Sequence, residues 1–401
     1  MRLLVAACLL SSCAVTPTLD DAQLVPHVDA DVSDAVPLLG ELVRGWSSGG
    51  APEVRRVVGE RLRQEGSDVV DGLGFLVAGS GPLLLLVRLA DVPACRDPEG
   101  GVVVGEPPRL IGCGTQELFG VAAFTLAARG HLGSHVEKAG VTLAIVDDDA
   151  ALLLALAGRA VTAAWTPGGV LLTGADRDVF DVVAVDVGRL SLALSVPAPD
   201  ADRLVVAAGR AVSFVSAPRL PVVVADRLAV LDAGLFRERA VDLARDPQRR
   251  ALVVDGCSLE SFSTERALLL CRALPGRALQ DVVDDVVLAI DDPAVRVQVV
   301  SEQEPSSTSL LSPLGRGLAA AARRGSPRVV TAPALDTGLK ASACHRLRGL
   351  GVPCLAALPL RLHPALRERR GQRDEIVPAD AVVAAAAFVV DVVAAVPEVL
   401  R

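Results

Sequence analysis

The stretch Pro82-Leu83-Leu84-Leu85-Leu86-Val87-Arg88-Leu89-Ala90-Asp91-Val92-Pro93 constrains this chain more than any other. An unbroken apolar run, opened by proline and closed by a polar tip, suits a strand buried on both faces, as parallel strands inside α/β sheets are. In an open α/β sheet the carboxyl end of such a strand borders the crevice where ligands bind. Residues 88–91 therefore stand at a candidate site. A second run of this kind, Val141-Thr142-Leu143-Ala144-Ile145-Val146, ends in Asp147-Asp148-Asp149.

A chain of 401 residues is too long for one small core, so two domains are expected. Aromatic residues make up only 2% and Tyr is absent, so the core must be built from Ala, Val and Leu. A net charge of −8, with no basic run and no interleaved aromatics, excludes a nucleic-acid surface, which needs a clustered positive field. The sequence also holds no Gly-rich phosphate loop, nucleophile elbow or Cys–His pairing that would mark another catalytic class.

The N-terminus, Met1-Arg2 followed by a short apolar run, reads as a secretory signal too short to span a bilayer as a stable helix. It leads into Leu10-Ser11-Ser12-Cys13, which resembles the bacterial lipobox. That resemblance implies a lipoprotein signal at 1–13, lipidation of Cys13, and an exported, membrane-anchored protein in the periplasm or at the cell surface. An ordinary signal peptide or an N-terminal helix is the plainer reading. Residues 14–33 read as a linker. Of the remaining cysteines, Cys95 and Cys113, Cys257 and Cys271, and Cys344 and Cys354 are sequence neighbours that an oxidising compartment could pair; for the latter two pairs, buried free thiols are the alternative.

Taken in order, the first domain starts at 34 with a helix over 36–43 and a second opened by Pro52. Strands at 68–70 and 75–78 are joined by the Gly72–Gly74 turn. A Pro- and Gly-rich loop leads to a helix at 119–128. From 178 the pattern changes to short β runs at 182–187, 190–196, 204–208 and 212–215, then helices at 230–244 and 279–290. The chain returns to the first domain at 301 with a helix at 314–323, strands near 329–331 and 353–360, and a closing helix at 379–396. Asp380 and Asp391 argue against a membrane span there. The expected fold is α/β: a mixed, mostly parallel sheet flanked by helices (34–177 and 301–401), with a smaller inserted α/β lid at 178–300.

Six segments, in order, resemble the motifs of the zinc-dependent aminoacylase, carboxypeptidase S and acetylornithine deacetylase family. That family ends its first site strand in G-H-x-D-V-V-P, with a ligand His and a supporting Asp; Arg88 and Ala90 stand in those places here. Gly112-Cys113-Gly114-Thr115-Gln116-Glu117 follows G-R-G-x-x-D, with Glu117 at the metal-bridging Asp. Asp147-Asp148-Asp149 follows D-E-E, which gives Asp148 the general-base position and Asp149 a ligand position. Pro167 falls on the ligand Glu of D-E-G-G. Cys271-Arg272-Ala273-Leu274-Pro275-Gly276 matches R-x-L-P-G, whose Arg helps to hold a substrate carboxylate. Gly371 falls on the last ligand His of H-G-R-D-E-R-I-P-V-D.

The resemblance thus implies a family fold whose zinc site is degenerate. Zinc needs several N, O or S donors converging on one point. Glu117 and Asp149 are weak candidates, and His27, His131, His135, His345 and His363 fall on no motif. No cofactor is expected. In place of the metal, the fork of Arg88 is expected to bridge Glu117 and Asp149. The expectation is a metallopeptidase- or aminoacylase-like lipoprotein that is catalytically inactive or impaired, with its inherited cleft left to bind a small ligand or partner. The alternative is an active metal-dependent hydrolase of peptide or N-acyl-amino-acid amide bonds with an atypical carboxylate-rich site. A homodimer through the lid is implied by the family, although the lid His that reaches a partner's site is not visible here.

Overall fold

The computed structural model describes residues 33–92, 99–132, 140–167, 179–197, 200–214, 255–274, 276–325, 330–336, 342–357, 369 and 371–400. Its residues fall into two compact units, one holding Asp20–Ala184, Leu310–Ala334 and Ser342–Arg401, the other Val185–Ser309 and Leu335–Ala341.

The opening apolar run forms β3 (Leu83–Arg88), and Leu83, Leu84, Leu85 and Leu86 are wholly buried. Burying one such side chain contributes about 2 kcal/mol. β3 lies between β6 (Val141–Val146) and β7 (Ala163–Thr166) and runs parallel to both, with Arg88 opposite Val146 at the carboxyl end. β1 (Val69–Gly72) and β2 (Phe75–Gly79) form a hairpin whose second strand is antiparallel to β6. On the other side, β15 (Cys354–Ala356) is parallel to β7 and antiparallel to β8 (Val179–Asp186). β13 (Ser306–Ser307) and β14 (Val330–Asp336) also pair with β8, completing a nine-stranded sheet. The mixed sheet is thus as expected, with parallel pairs at its centre and antiparallel pairs on both flanks.

Helices cover both faces of this sheet. α1 (Ala35–Gly49), α2 (Ala51–Gln64), α3 (Thr115–Leu132), α7 (Pro313–Gly325) and α9 (Ala379–Leu400) pack together, and α3 and α9 also reach β3. On the other face, Leu152 and Ala155 of α4 (Asp149–Leu156) join Ala343 and Leu347 of α8 (Ala343–Gly349) over Leu84, Leu86, Ala144 and Val146. Together these layers explain why β3 is apolar at every position from Leu83 to Val87 rather than at alternate ones. A small antiparallel sheet of β4 (Val102–Val104), β5 (Arg109–Ile111) and β16 (Ile376–Pro378) sets Ile376 opposite Ile111. No helix among the described residues is long and apolar enough to cross a membrane.

The second unit is an antiparallel sheet in the order β10 (Gly256–Phe262), β11 (Arg266–Ala273), β9 (Gly188–Ser195), β12 (Arg296–Gln303). α5 (Ala201–Ser213) and α6 (Leu279–Ile290) bury one of its faces. Here the expected β run at 204–208 and the start of the one at 212–215 are corrected, because 204–208, Val212 and Ser213 lie in α5; Phe214 caps it, and Val215 lies outside the described residues. Asp200 caps that helix by accepting from the Arg203 N–H at 3.1 Å, and Leu204, Ala207, Ala208 and Ala211 recur at helical spacing on its buried side. The helix expected at 230–244 lies outside the described residues.

Cys257–Cys271 and Cys344–Cys354 are disulfides, the first across β10 and β11. Cys113 is also disulfide-bonded, and its expected partner, Cys95, lies outside the described residues.

Candidate functional site

The strand ends place Arg88, Asp91 and Asp149 together. β3 stops at Arg88 because Leu89–Asp91 turns into a single 3-10 turn, tied down by the Ala90 N–H on the Asp147 carbonyl at 3.1 Å. That turn folds Asp91 back beneath Arg88, whose Nε and Nη2 donate to it at 2.8–3.1 Å. Arg88 Nη1 donates to Asp149 Oδ1 at 3.0 Å. Burial works against the charge on Arg88, but the hydrogen bonds and charges of Asp91 and Asp149 outweigh it and hold its pKa above the ordinary range. One guanidinium therefore binds two carboxylates, as expected. The second is Asp91, three residues along the chain, where Glu117 was expected.

The acidic triplet divides into three separate roles. Asp147 pairs with Arg55 of α2. Asp148 is the N-cap of α4, and its Oδ1 accepts from the Ala151 N–H at 2.8 Å. The carboxylate at the family's general-base position is therefore engaged with the backbone. Asp149, in the first turn of α4, is the partner of Arg88, in a position that also suits a helix N-terminus.

Glu117 sits in the first turn of α3, beside a carboxylate that sequence reasoning missed. Glu375 is fully buried and accepts from the N–H groups of Gln116 at 2.5 Å, Gly371 at 2.9 Å and Gly114 at 3.2 Å. Gly114 and Gly371 both adopt positive φ, 78° and 75°, which lets their N–H groups converge on one carboxylate. Burial, and then the charge of Glu117, push Glu375 up to about 7 against the pull of those three N–H groups. Its signal in the sequence is one of the two acidic residues that close Gly371-Gln372-Arg373-Asp374-Glu375, and no local pattern marks Glu375 over Asp374.

The remaining family positions offer no ligating side chain. Pro167 follows β7 and packs its ring against α3 where Gly120 has no side chain; a Cβ there would run into the ring. Gly371 supplies only its N–H, to Glu375. Ala90 has no donor atom. Asp149 already belongs to a fixed cation, and Glu117 lies next to a second carboxyl rather than to nitrogen ligands. The residues present do not fit the zinc ion that the family resemblance implies. Among the described residues, no group of three or more His, Cys, Asp or Glu converges as a metal set would.

Arg272 lies in the second unit, on β11, partly buried. Its guanidinium makes no hydrogen bond or ion pair among the described residues, and burial lowers its pKa, with Asp255 a partial offset. Cys13 lies outside the described residues.

This arrangement of strands was compared with solved structures. A metallo-carboxypeptidase of the M20 family from Sulfolobus solfataricus superposes with a TM-score of 0.62 at 12% identity, covering 92% of this chain and 100% of that one. This is the M20 metallopeptidase fold. Human carnosine dipeptidase 1 matches at 0.59 and 13% identity, over 91% of this chain and 96% of its own. A dinuclear metal-binding M20 peptidase from Bacillus subtilis matches at 0.52 and 12%, over 92% of this chain and 99% of its own. No protein-family model and no curated protein matches the sequence. The M20 fold is thus shared along nearly the whole chain with proteins whose sequences have diverged almost completely.

Proposed function

We propose that this chain is a non-catalytic, membrane-anchored relative of the M20 metallopeptidases that binds a small peptide-like or N-acyl-amino-acid-like ligand without hydrolysing it. The observation that carries this reading is the bond from Arg88 to Asp149. A permanent cation stands at the first ligand position of the family motif and holds the carboxylate at another. Asp148, at the general-base position, is committed to capping α4. The fold neighbours include a metallo-carboxypeptidase and a dipeptidase, which supports a ligand of peptide character. In this reading Arg272 is the group that meets the ligand's anionic end, and Cys13 carries the lipid of a periplasmic or surface lipoprotein.

The test is a hydrolysis assay on dipeptides and N-acyl amino acids, with zinc, cobalt or manganese added to chelator-free protein. No turnover above buffer is expected with any metal. Metal-dependent turnover that disappears in Asp149→Asn would establish the alternative, a hydrolase with a carboxylate-rich site.

A further inference from the structure

Beyond its first residue, α4 is apolar on every side. Asp149-Ala150-Ala151-Leu152-Leu153-Leu154-Ala155-Leu156 has the composition of a helix buried all round. Only one side of it is buried: Ala151, Leu152 and Ala155 enter the core, while Leu153 and Leu154 face outward, Leu154 at 55% exposure.

Two further apolar side chains stand open beside it. The turn of the β1–β2 hairpin rests on the first turn of α4: a Cβ at Gly74 would lie 3.3 Å from the Ala151 Cβ, and the Asp147 N–H donates to the Gly74 carbonyl at 2.8 Å. Leu73 in that turn is 90% exposed, and Leu154 follows Ala151 by one helical turn. Val70 of β1 is exposed directly opposite Val77, which packs in one core cluster with Ala151 and Leu152, so Val70 is on the α4 side of the sheet. Leucines scattered singly over a surface need no explanation, but Val70, Leu73, Leu153 and Leu154 are gathered, as on an interaction surface.

The N-terminal end of α4 makes this surface acidic. Asp91, Asp147, Asp148 and Asp149 gather there around two guanidiniums, Arg55 on Asp147 and Arg88 on Asp91 and Asp149. Asp148 is exposed, and its bond is to the Ala151 N–H rather than to a cation. Carboxylates thus outnumber these fixed cations beside an apolar strip, and Arg159, the next basic residue along the chain, lies past the other end of α4. That excess selects among occupants. An anionic lipid surface would repel it, and a second copy brings the same excess. A basic partner complements it.

We propose that Leu73, Leu153 and Leu154, with Asp148 beside them, dock an amphipathic basic segment of a partner protein, its apolar side chains on the leucines and a Lys or Arg on Asp148. This surface lies outside the ligand-binding reading and does not involve Arg272.

The test is fluorescence anisotropy of a labelled amphipathic Leu/Lys peptide titrated with the full chain, with its Leu/Glu counterpart as control. The Leu/Lys peptide should bind saturably and more weakly as salt rises, and the Leu/Glu peptide should not bind. Leu73→Ser combined with Leu154→Ser should weaken binding at least about tenfold, the loss of two apolar contacts. Asp148→Asn, which can still cap α4, should weaken it about threefold and flatten the salt dependence. Leu288→Ser, at an exposed leucine of α6 in the second unit, should leave it unchanged, with circular dichroism confirming the folding of each variant. No saturable binding, or binding that the paired leucine variant leaves intact or that Leu288→Ser reduces as much, overturns the proposal. So does self-association of the chain, or binding to phosphatidylcholine or phosphatidylglycerol vesicles, that the paired leucine variant abolishes, since the surface would then belong to a second copy or a membrane. Failure of the non-catalytic reading would show separately, as metal-dependent turnover.

Discussion

Arg88 Nη1 donates to Asp149 Oδ1 at 3.0 Å, joining the carboxyl end of β3 to the first turn of α4, while Nε and Nη2 hold Asp91. The Arg88 side chain is only 10% exposed and its partners are 36% and 45% exposed, so the contact is stronger than an open surface pair and weaker than a buried one. Arg88→Met should destabilise the fold by about 1–2 kcal/mol, measured by urea unfolding. Arg88→Lys should recover less than half, since an ammonium cannot fork onto two carboxylates. A cycle with Asp149→Asn should give a coupling of about 1 kcal/mol; additive effects would remove the pair from the account.

Glu375 gives the fold a pH dependence with a definite sign. Its pKa is raised from 4.5 to about 7 in the folded chain, so the folded state holds a proton that the unfolded state has lost. Stability from this group is therefore complete below about 4.5 and is lost as pH rises through about 7, by about 3 kcal/mol at most. Glu375→Gln should flatten the profile between those values in urea unfolding. A wild-type profile that rises over that window would contradict this.

Asp148 distinguishes a helix cap from a general base. Asp148→Ala should cost about 1 kcal/mol of stability through loss of the bond to Ala151, and Asp148→Asn should cost only a few tenths. If hydrolysis were detected and Asp148→Asn abolished it with stability unchanged, the residue would be acting as a base.

Pro167 and Gly120 should be coupled. Gly120→Ala puts a Cβ into the Pro167 ring and should destabilise by about 1–3 kcal/mol in chemical unfolding. Pro167→Ala in the same chain should restore most of the loss. No rescue would mean that the ring is not what limits that position.

Much of this was legible in the sequence where one local pattern decided the outcome. The unbroken apolar run at 83–87 and its twin at 141–146 could only be strands covered on both faces, and those are β3 and β6. Within the amphipathic stretch at 201–213, Val205, Val206 and Val212 suggest the strands expected at 204–208 and 212–215. They lie on the exposed side of α5, where packing does not decide the conformation, while Asp200 and the Leu204, Ala207, Ala208, Ala211 spacing do.

In the candidate site, motif order singles out Arg88, Asp148, Asp149, Pro167 and Gly371, but partners depend on geometry. Asp91 reaches Arg88 only because a 3-10 turn intervenes. Glu375 meets Gly114 and Gln116 across about 260 residues, which no local pattern encodes.

The central claim is that Arg88 stands where a metal would otherwise be held, and the most direct measurement is metal stoichiometry. Protein purified without chelator, then dialysed with zinc and freed of excess, should carry no stoichiometric zinc by elemental analysis. Retention of one or two equivalents of zinc per chain, lost in Asp149→Asn and Glu117→Gln, would contradict it.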